Sequence, residues 1–250
     1  MKIHTFGSDL AAGPYSGFYR SSIAIETDKS LYFFDVGQSS ANTAYLNGVD
    51  LLKTRAIFIS HPNTRHTEGV GSLLYYIDSS ATASGRLSSF GLYIPAAKSP
   101  EETALYFDKS LKNISCELQS IDDGLIYDDG ELSVEAIHIR HTQKFCGRAI
   151  SYAFRIVCEG KMIVFSGDMR LEDIKSILPA RADIFLAETG HHKIESICHE
   201  MALRNKSVKN LLFVHRGSYV MARPQALAAE AEPRGPYSFC AYGSSGVFDV

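Results

Sequence analysis

Four things are missing from this 250-residue chain: a Cys-x-x-Cys pair, a long basic run, an apolar stretch of membrane-spanning length, and a tandem repeat. The five cysteines, Cys116, Cys146, Cys158, Cys198 and Cys240, are odd in number and widely spread. That spacing argues against a zinc ribbon or a dithiol redox centre and leaves small buried thiols of a reducing compartment. With a formal net charge of -3 and no Lys/Arg cluster, binding that depends mainly on neutralising nucleic-acid phosphates is not indicated, although a local basic pocket is allowed. The opening MKIHTFGSDL lacks the apolar core of a signal peptide, and no segment reaches the roughly 18 apolar residues of a membrane span. The expectation is a soluble, cytoplasmic protein with no membrane partner. Asn-x-Ser occurs at Asn113 and Asn205, and without an export signal these read as chance matches.

What is present is ample core material. Hydrophobic residues make up 45% of the chain and charged residues 21%, which suits a large globular unit and excludes disorder. No Pro/Gly linker divides the chain, so residues 1–250 read as a single domain. Alternation of β-branched or aromatic with polar residues predicts strands at 22–26, 31–34, 56–59 and 91–94. Between them, Val70, Leu73, Leu74 and Ile77 recur at helical spacing within a helix over 67–77. Ser99-Pro100-Glu101-Glu102 carries the signals of a helix start. The Ser-rich stretch 78–90 reads as a loop. In the second half, strands are expected near 134–139, 150–157, 162–165, 184–186 and 211–214, with helices near 171–178, 192–204 and 224–232. Two sheets with helices outside give an α+β, four-layer αββα sandwich.

The chemistry-bearing residues follow strands, where a rigid scaffold presents side chains to a cleft. Strand 56–59 runs into Ser60-His-Pro-Asn-Thr-Arg-His-Thr-Glu-Gly69, strand 134–139 into His141, strand 162–165 into Ser166-Gly-Asp168, strand 184–186 into Glu188-Thr-Gly-His-His192, and strand 211–214 into His215. Converging imidazoles and carboxylates suit Zn2+, or Mn2+ and Fe at oxygen-richer sites. Residues 134, 136 and 138 share a strand face, so His138 belongs to the sheet and His141, beyond its end, is favoured as the ligand. Asp168 also admits a plain reading as the cap of the 171–178 helix. His191 and His192 read as opening a helix, with His191 a candidate proton donor to a leaving group. Glu188 reads as a carboxylate that orients a neighbouring histidine. His4, His138 and His199 read as structural, Arg148 and Arg216 as solvated, and Tyr75-Tyr76 as the edge of a packed helix.

Order, spacing and strand context resemble the metallo-β-lactamase superfamily, especially its ribonuclease Z-like phosphodiesterase branch. The likeness runs from Phe6-Gly-Ser8 and Arg20-Ser-Ser22 through Phe34-Asp35-Val-Gly37, which resembles the acidic motif that supports the histidine box, to the box His61-Pro-Asn-Thr-Arg-His66, His141, Ser-Gly-Asp168, Ala187-Glu-Thr189 and His215. The resemblance implies that one metal takes His61, position 63 and His141, and a second takes position 65, His66 and His215, with Asp168 bridging. This chain departs from the box at two places, having Asn63 for a histidine and Arg65 for an aspartate. Asn63 offers a weaker neutral oxygen, whereas Arg65 cannot ligate and repels a nearby cation.

Two outcomes follow from these substitutions. In one, a single metal is retained on His61, His141 and Asp168, helped by Asn63, and Arg65 stands in for the second cation at the reacting phosphate or ester. In the other, no metal binds and the protein is a metal-free binding or regulatory pseudoenzyme that kept the cleft. The implied partner is a small-molecule or phosphodiester substrate. An exposed face of such a sandwich also admits a homodimer.

Overall fold

Alternating apolar residues build two mixed sheets in the computed structural model, which describes residues 1–7, 20–95, 111–141, 150–217, 237–242 and 246–249. The predicted helix starts at Ser99 and near Pro224 lie outside the described residues. The described chain falls into two units, each with a sheet of its own.

The first unit holds 1–7, 20–95, 111–121 and 246–249. Its strands are β1 (Lys2–Gly7), β2 (Ser22–Glu26), β3 (Leu31–Val36), β4 (Thr54–Phe58), β5 (Ser88–Pro95) and β6 (Ile114–Ile121), with the C-terminal Gly246–Asp249 strand on its edge. The sheet order runs from that strand through β1 to β6 in sequence order. Pairing is antiparallel up to β3 and parallel from β3 to β6. Among its described residues the α-helices are α1 (Ser40–Leu46), α2 (Thr64–Thr67) and α3 (Val70–Ser84). Phe33, Ile57, Leu92 and the apolar face of α3, Val70, Leu73, Leu74 and Ile77, form one buried cluster. Each such side chain contributes about 1.5–3 kcal/mol through burial.

The 78–90 stretch expected as a loop is instead the last turns of α3 followed by β5. Its hydroxyls are satisfied inside the helix, Thr82 Oγ1 donating to the Asp78 carbonyl and Ser84 Oγ to that of Ser80, both at 2.8 Å. Gly85, at φ +64°, closes the helix in the left-handed conformation. The helix expected from Thr67 is broken in two. At the break, the Gly69 N–H donates to the Val36 carbonyl at 2.9 Å, and a Cβ there would sit 2.1 Å from the Gly37 oxygen. Only glycine allows this approach.

The second unit holds 122–141, 150–217 and 237–242. It contains β7 (Gly124–Asp128), β8 (Leu132–His138), β9 (Tyr152–Cys158), β10 (Lys161–Phe165), β11 (Arg181–Thr189), β12 (Ser207–Arg216) and β13 (Tyr237–Tyr242), adjacent in the sheet in sequence order. Pairing is antiparallel from β7 to β10 and parallel from β10 to β13. The strand Gly246–Asp249 is β14. The 171–178 helix is a 3-10 turn, Leu171–Asp173, leading into α4 (Ile174–Ile177), and α5 spans Ile194–Leu203. Val164, Phe185, Phe213, Ile174 and Ile197 lie in the buried cluster of this unit. Among the described residues no helix is long and apolar enough to cross a membrane.

Candidate metal centre

In the first unit the site grows from the end of β3. Asp35 is a bulge residue: Ser22 pairs with Val36 and Ile23 with Phe34, so Asp35 is extra, at φ +57°. A bulge with a left-handed residue re-aims one side chain without ending the strand. The Asp35 carboxylate, 0% exposed, accepts from the Ser60 N–H at 2.7 Å, from Ser60 Oγ at 2.8 Å and from His66 Nδ1 at 2.6 Å. Ser60 Oγ also lies 3.1 Å from His61 Nδ1. The His61 and His66 rings stand 4.1 Å apart between centroids. A carboxylate on Nδ1 fixes the tautomer and leaves Nε2 with the lone pair, the usual support of a ligating imidazole. Asp35, in Phe34-Asp35-Val-Gly37, thus holds Ser60, and His66 of the box, by direct hydrogen bonds.

The two altered box positions sit differently. Asn63 is exposed, and its Oδ1 caps α2 by accepting from the Arg65 N–H at 3.1 Å. Arg65 is half-buried, and its main-chain carbonyl would lie 2.9 Å from a Cβ at Gly37. Nearby, Arg20 and Glu68 form an ion pair at 2.7 Å.

In the second unit Asp168 follows β10 through Gly167, at φ +53°. Ser166 fastens this turn to β11: its N–H donates to the Leu186 carbonyl and its Oγ accepts from the Glu188 N–H, both at 3.0 Å. Asp168 is 3% exposed, with Oδ2 at 3.5 Å from His141 Nε2 and Oδ1 at 3.4 Å from His215 Nε2. The reading of Asp168 as a helix cap is therefore set aside, because Arg170 occupies the N-cap of the following 3-10 turn. Donor atoms of His141, Asp168 and His191 all lie within 4.8 Å of one another. His138 is the last residue of β8, opposite Tyr152 of β9, and does not join this group.

His215 repeats the device seen at Asp35. Glu188 pairs with Val214 and Thr189 with Arg216, so His215 is the bulged residue of β12, at φ +50°. The side chain of Arg216, like Arg148 as a whole, lies outside the described residues.

His191 and His192 do not open a helix. They form a bend before α5, whose N-cap is Lys193, because the Glu188 carboxylate folds the chain back on itself. Glu188 Oε2 accepts from the His191 N–H at 3.0 Å, Oε1 lies 3.1 Å from His191 Nδ1, and His192 Nε2 donates to the Met169 carbonyl at 2.9 Å. Glu188 is itself buried.

Asp173 carries no signal in the sequence beyond a helix-start carboxylate, yet it ties together the segments that carry His141 and Asp168. Its carboxylate accepts from the Arg140 N–H at 3.1 Å, Arg140 Nε at 2.9 Å and the Arg170 N–H at 2.9 Å. Those are the residues next to His141 and two past Asp168. The Arg140 guanidinium is held above its ordinary pKa by the hydrogen bond to Asp173.

The donor set suits a borderline divalent cation. N···O separations of 3.4 and 3.5 Å are long for a charge-assisted hydrogen bond, about 2.7–2.9 Å. They match the ligand–ligand edge of about 3.4 Å for a tetrahedron with bonds of about 2.1 Å.

No family model matches the chain. Among curated proteins it is similar to ribonuclease Z of Listeria welshimeri, 28% identical over 170 residues, covering 66% of this chain and 51% of that protein. The chain thus spans about half the length of this curated relative. Among solved structures it is similar to the metallo-β-lactamase fold protein YhfI from Bacillus subtilis, with a TM-score of 0.71, 16% identity, and 99% and 98% of the two chains covered. It is also similar to the short form of human tRNase Z, with a TM-score of 0.68, 16% identity, and 100% and 99% covered. The α+β architecture is therefore the metallo-β-lactamase fold. In sequence the chain is thus similar to ribonuclease Z, and in fold to metallo-β-lactamase fold proteins.

Proposed function

We propose that this protein is a metal-dependent hydrolase of phosphodiester or ester bonds, with His141, Asp168 and His215 among the ligands of its divalent ion. The observation that carries the reading is the posture of Asp168, whose two oxygens each face a different imidazole at 3.5 and 3.4 Å. A divalent ion held there would supply Lewis acidity to a phosphodiester or ester centre. Buried Asp168 contributes the anionic charge that holds the cation, and Ser166 keeps its turn in place. His61 and His66 offer Nε2 atoms prepared by Ser60 and Asp35 in the same manner. Arg65 adds a permanent positive charge for an anionic substrate group. The similarity to a ribonuclease Z makes a nucleic-acid phosphodiester one candidate substrate, and Zn2+ is the ion best suited to an imidazole-rich set.

One observation favours a second reading, a metal-free binding protein: Asn63 spends its amide oxygen on the cap of α2, and Arg65 occupies a box position where a carboxylate is expected. Metal analysis of protein purified without chelator, paired with hydrolysis of a chromogenic phosphodiester, separates the two. We expect bound divalent metal near stoichiometry and turnover, both lost in Asp168→Asn. A folded, metal-free and inert native protein would sink the hydrolase reading.

A further inference from the structure

We propose that His191 is itself a metal ligand, and that Glu188 is the residue that positions it; this rests on the metal-dependent reading above. Glu188 is buried beneath the ring of His191 and spends both oxygens on that residue, one on the main-chain N–H at 3.0 Å and one on Nδ1 at 3.1 Å. A carboxylate accepting from Nδ1–H fixes the tautomer in which Nε2 carries the lone pair. Nε2 is then the atom with the chemistry to meet a cation. The ring stands at the right place for it, with its centroid 4.8 Å from that of His141 and 6.0 Å from that of His215. Its donor lies within 4.8 Å of those of His141 and Asp168.

Closing this spread to the roughly 3.4 Å edge of a tetrahedral shell needs a shift of about an ångström. His191 sits on a bend, with its side chain 35% exposed, so the movement costs little packing.

Cobalt(II) titration tests this on native protein stripped by chelator and on variants, following the visible cobalt bands and competition with a metallochromic dye. We expect His191→Ala to weaken binding about 10–100-fold and to change the bands, and Glu188→Gln to weaken it about tenfold, the usual effect of removing a ligand's carboxylate partner. His199→Ala, on α5, serves as the unaffected control. His191→Cys should restore binding and add a near-ultraviolet thiolate-to-cobalt band, a signal that a purely structural histidine cannot give. Unchanged affinity and bands in His191→Ala with a fall in kcat alone would overturn the inference and make His191 a proton donor, leaving the hydrolase reading intact. Native protein that takes up no cobalt overturns both.

Discussion

Asp35 shows how much one side chain is asked to do. Fully buried, it accepts the Ser60 main-chain N–H, the Ser60 hydroxyl and the His66 imidazole, and it does so from a left-handed backbone that costs a non-glycine residue about 1–2 kcal/mol. Strain of this kind persists only where the surroundings enforce it, and it clusters at functional sites. Asp35→Ala removes the strain's purpose and leaves buried donors unsatisfied, at about 1–3 kcal/mol each. The expected outcome is a loss of about 3 kcal/mol in urea unfolding together with a tenfold or larger loss of metal affinity, since His66 is no longer held in one tautomer. A loss of stability with unchanged metal affinity would mean that Asp35 supports the fold alone. The residue itself was legible, because an acidic residue ending an apolar run resembles the support of a histidine box. Its geometry was not, because a left-handed aspartate has no signature in hydrophobic pattern, and the same holds for His215.

Elements explain why the candidate ligands of the second unit arrive together. In the second sheet the parallel strands β10, β11 and β12 end side by side, so Asp168, Glu188 with His191, and His215 emerge from one edge, and alternation in the sequence was enough to place them there. What alternation could not give was the clamp between loops. Asp173 ties the main chain at Arg140 and Arg170, contacts between residues more than thirty positions apart in one case. Asp173→Ala should lower the urea midpoint by the equivalent of about 1–3 kcal/mol. It should also weaken metal binding while leaving every proposed ligand in place; a stability loss without a change in metal affinity would show that His141 and Asp168 are positioned without it. Misread elements have equally local causes. The end of α3 reads as loop because Ser and Thr are poor helix formers, yet their hydroxyls bond within the helix and Ala81 is buried. Strand β6 does alternate, but Ile114, Cys116 and Leu118 are spaced by polar residues on a strand that is mostly exposed or half-buried, so the signal was weak.

At the scale of the whole molecule, the titrating groups set a pH window for stability. Burial pushes the Cys116 thiol up from its ordinary 9.0 to about 12, and that of Cys158 up to about 11. Above pH 9 the unfolded chain sheds these protons while the folded one keeps them, so the stabilisation they represent is fully present below pH 9 and is lost as pH rises towards 11 to 12. On the acid side, Glu26 is desolvated, but hydrogen bonds and charge from His4 and Lys53 more than offset this and hold its carboxyl below the ordinary 4.5. Asp183 is likewise depressed, chiefly by Lys209 and also by the Met162 N–H. Stability from these carboxylates is present above their unfolded values and lost as pH falls through the folded ones. Urea midpoints measured across pH should therefore form a plateau bounded near pH 5 and pH 9, falling on both sides. Thiol reagents at pH 8 should label Cys116 and Cys158 far more slowly in the folded protein than in urea, because the reactive thiolate is suppressed by burial. Rapid labelling of the native state at pH 8, or a midpoint that keeps rising to pH 11, would show that these thiols lie outside the packed sheets, against the burial that the alternating strands impose.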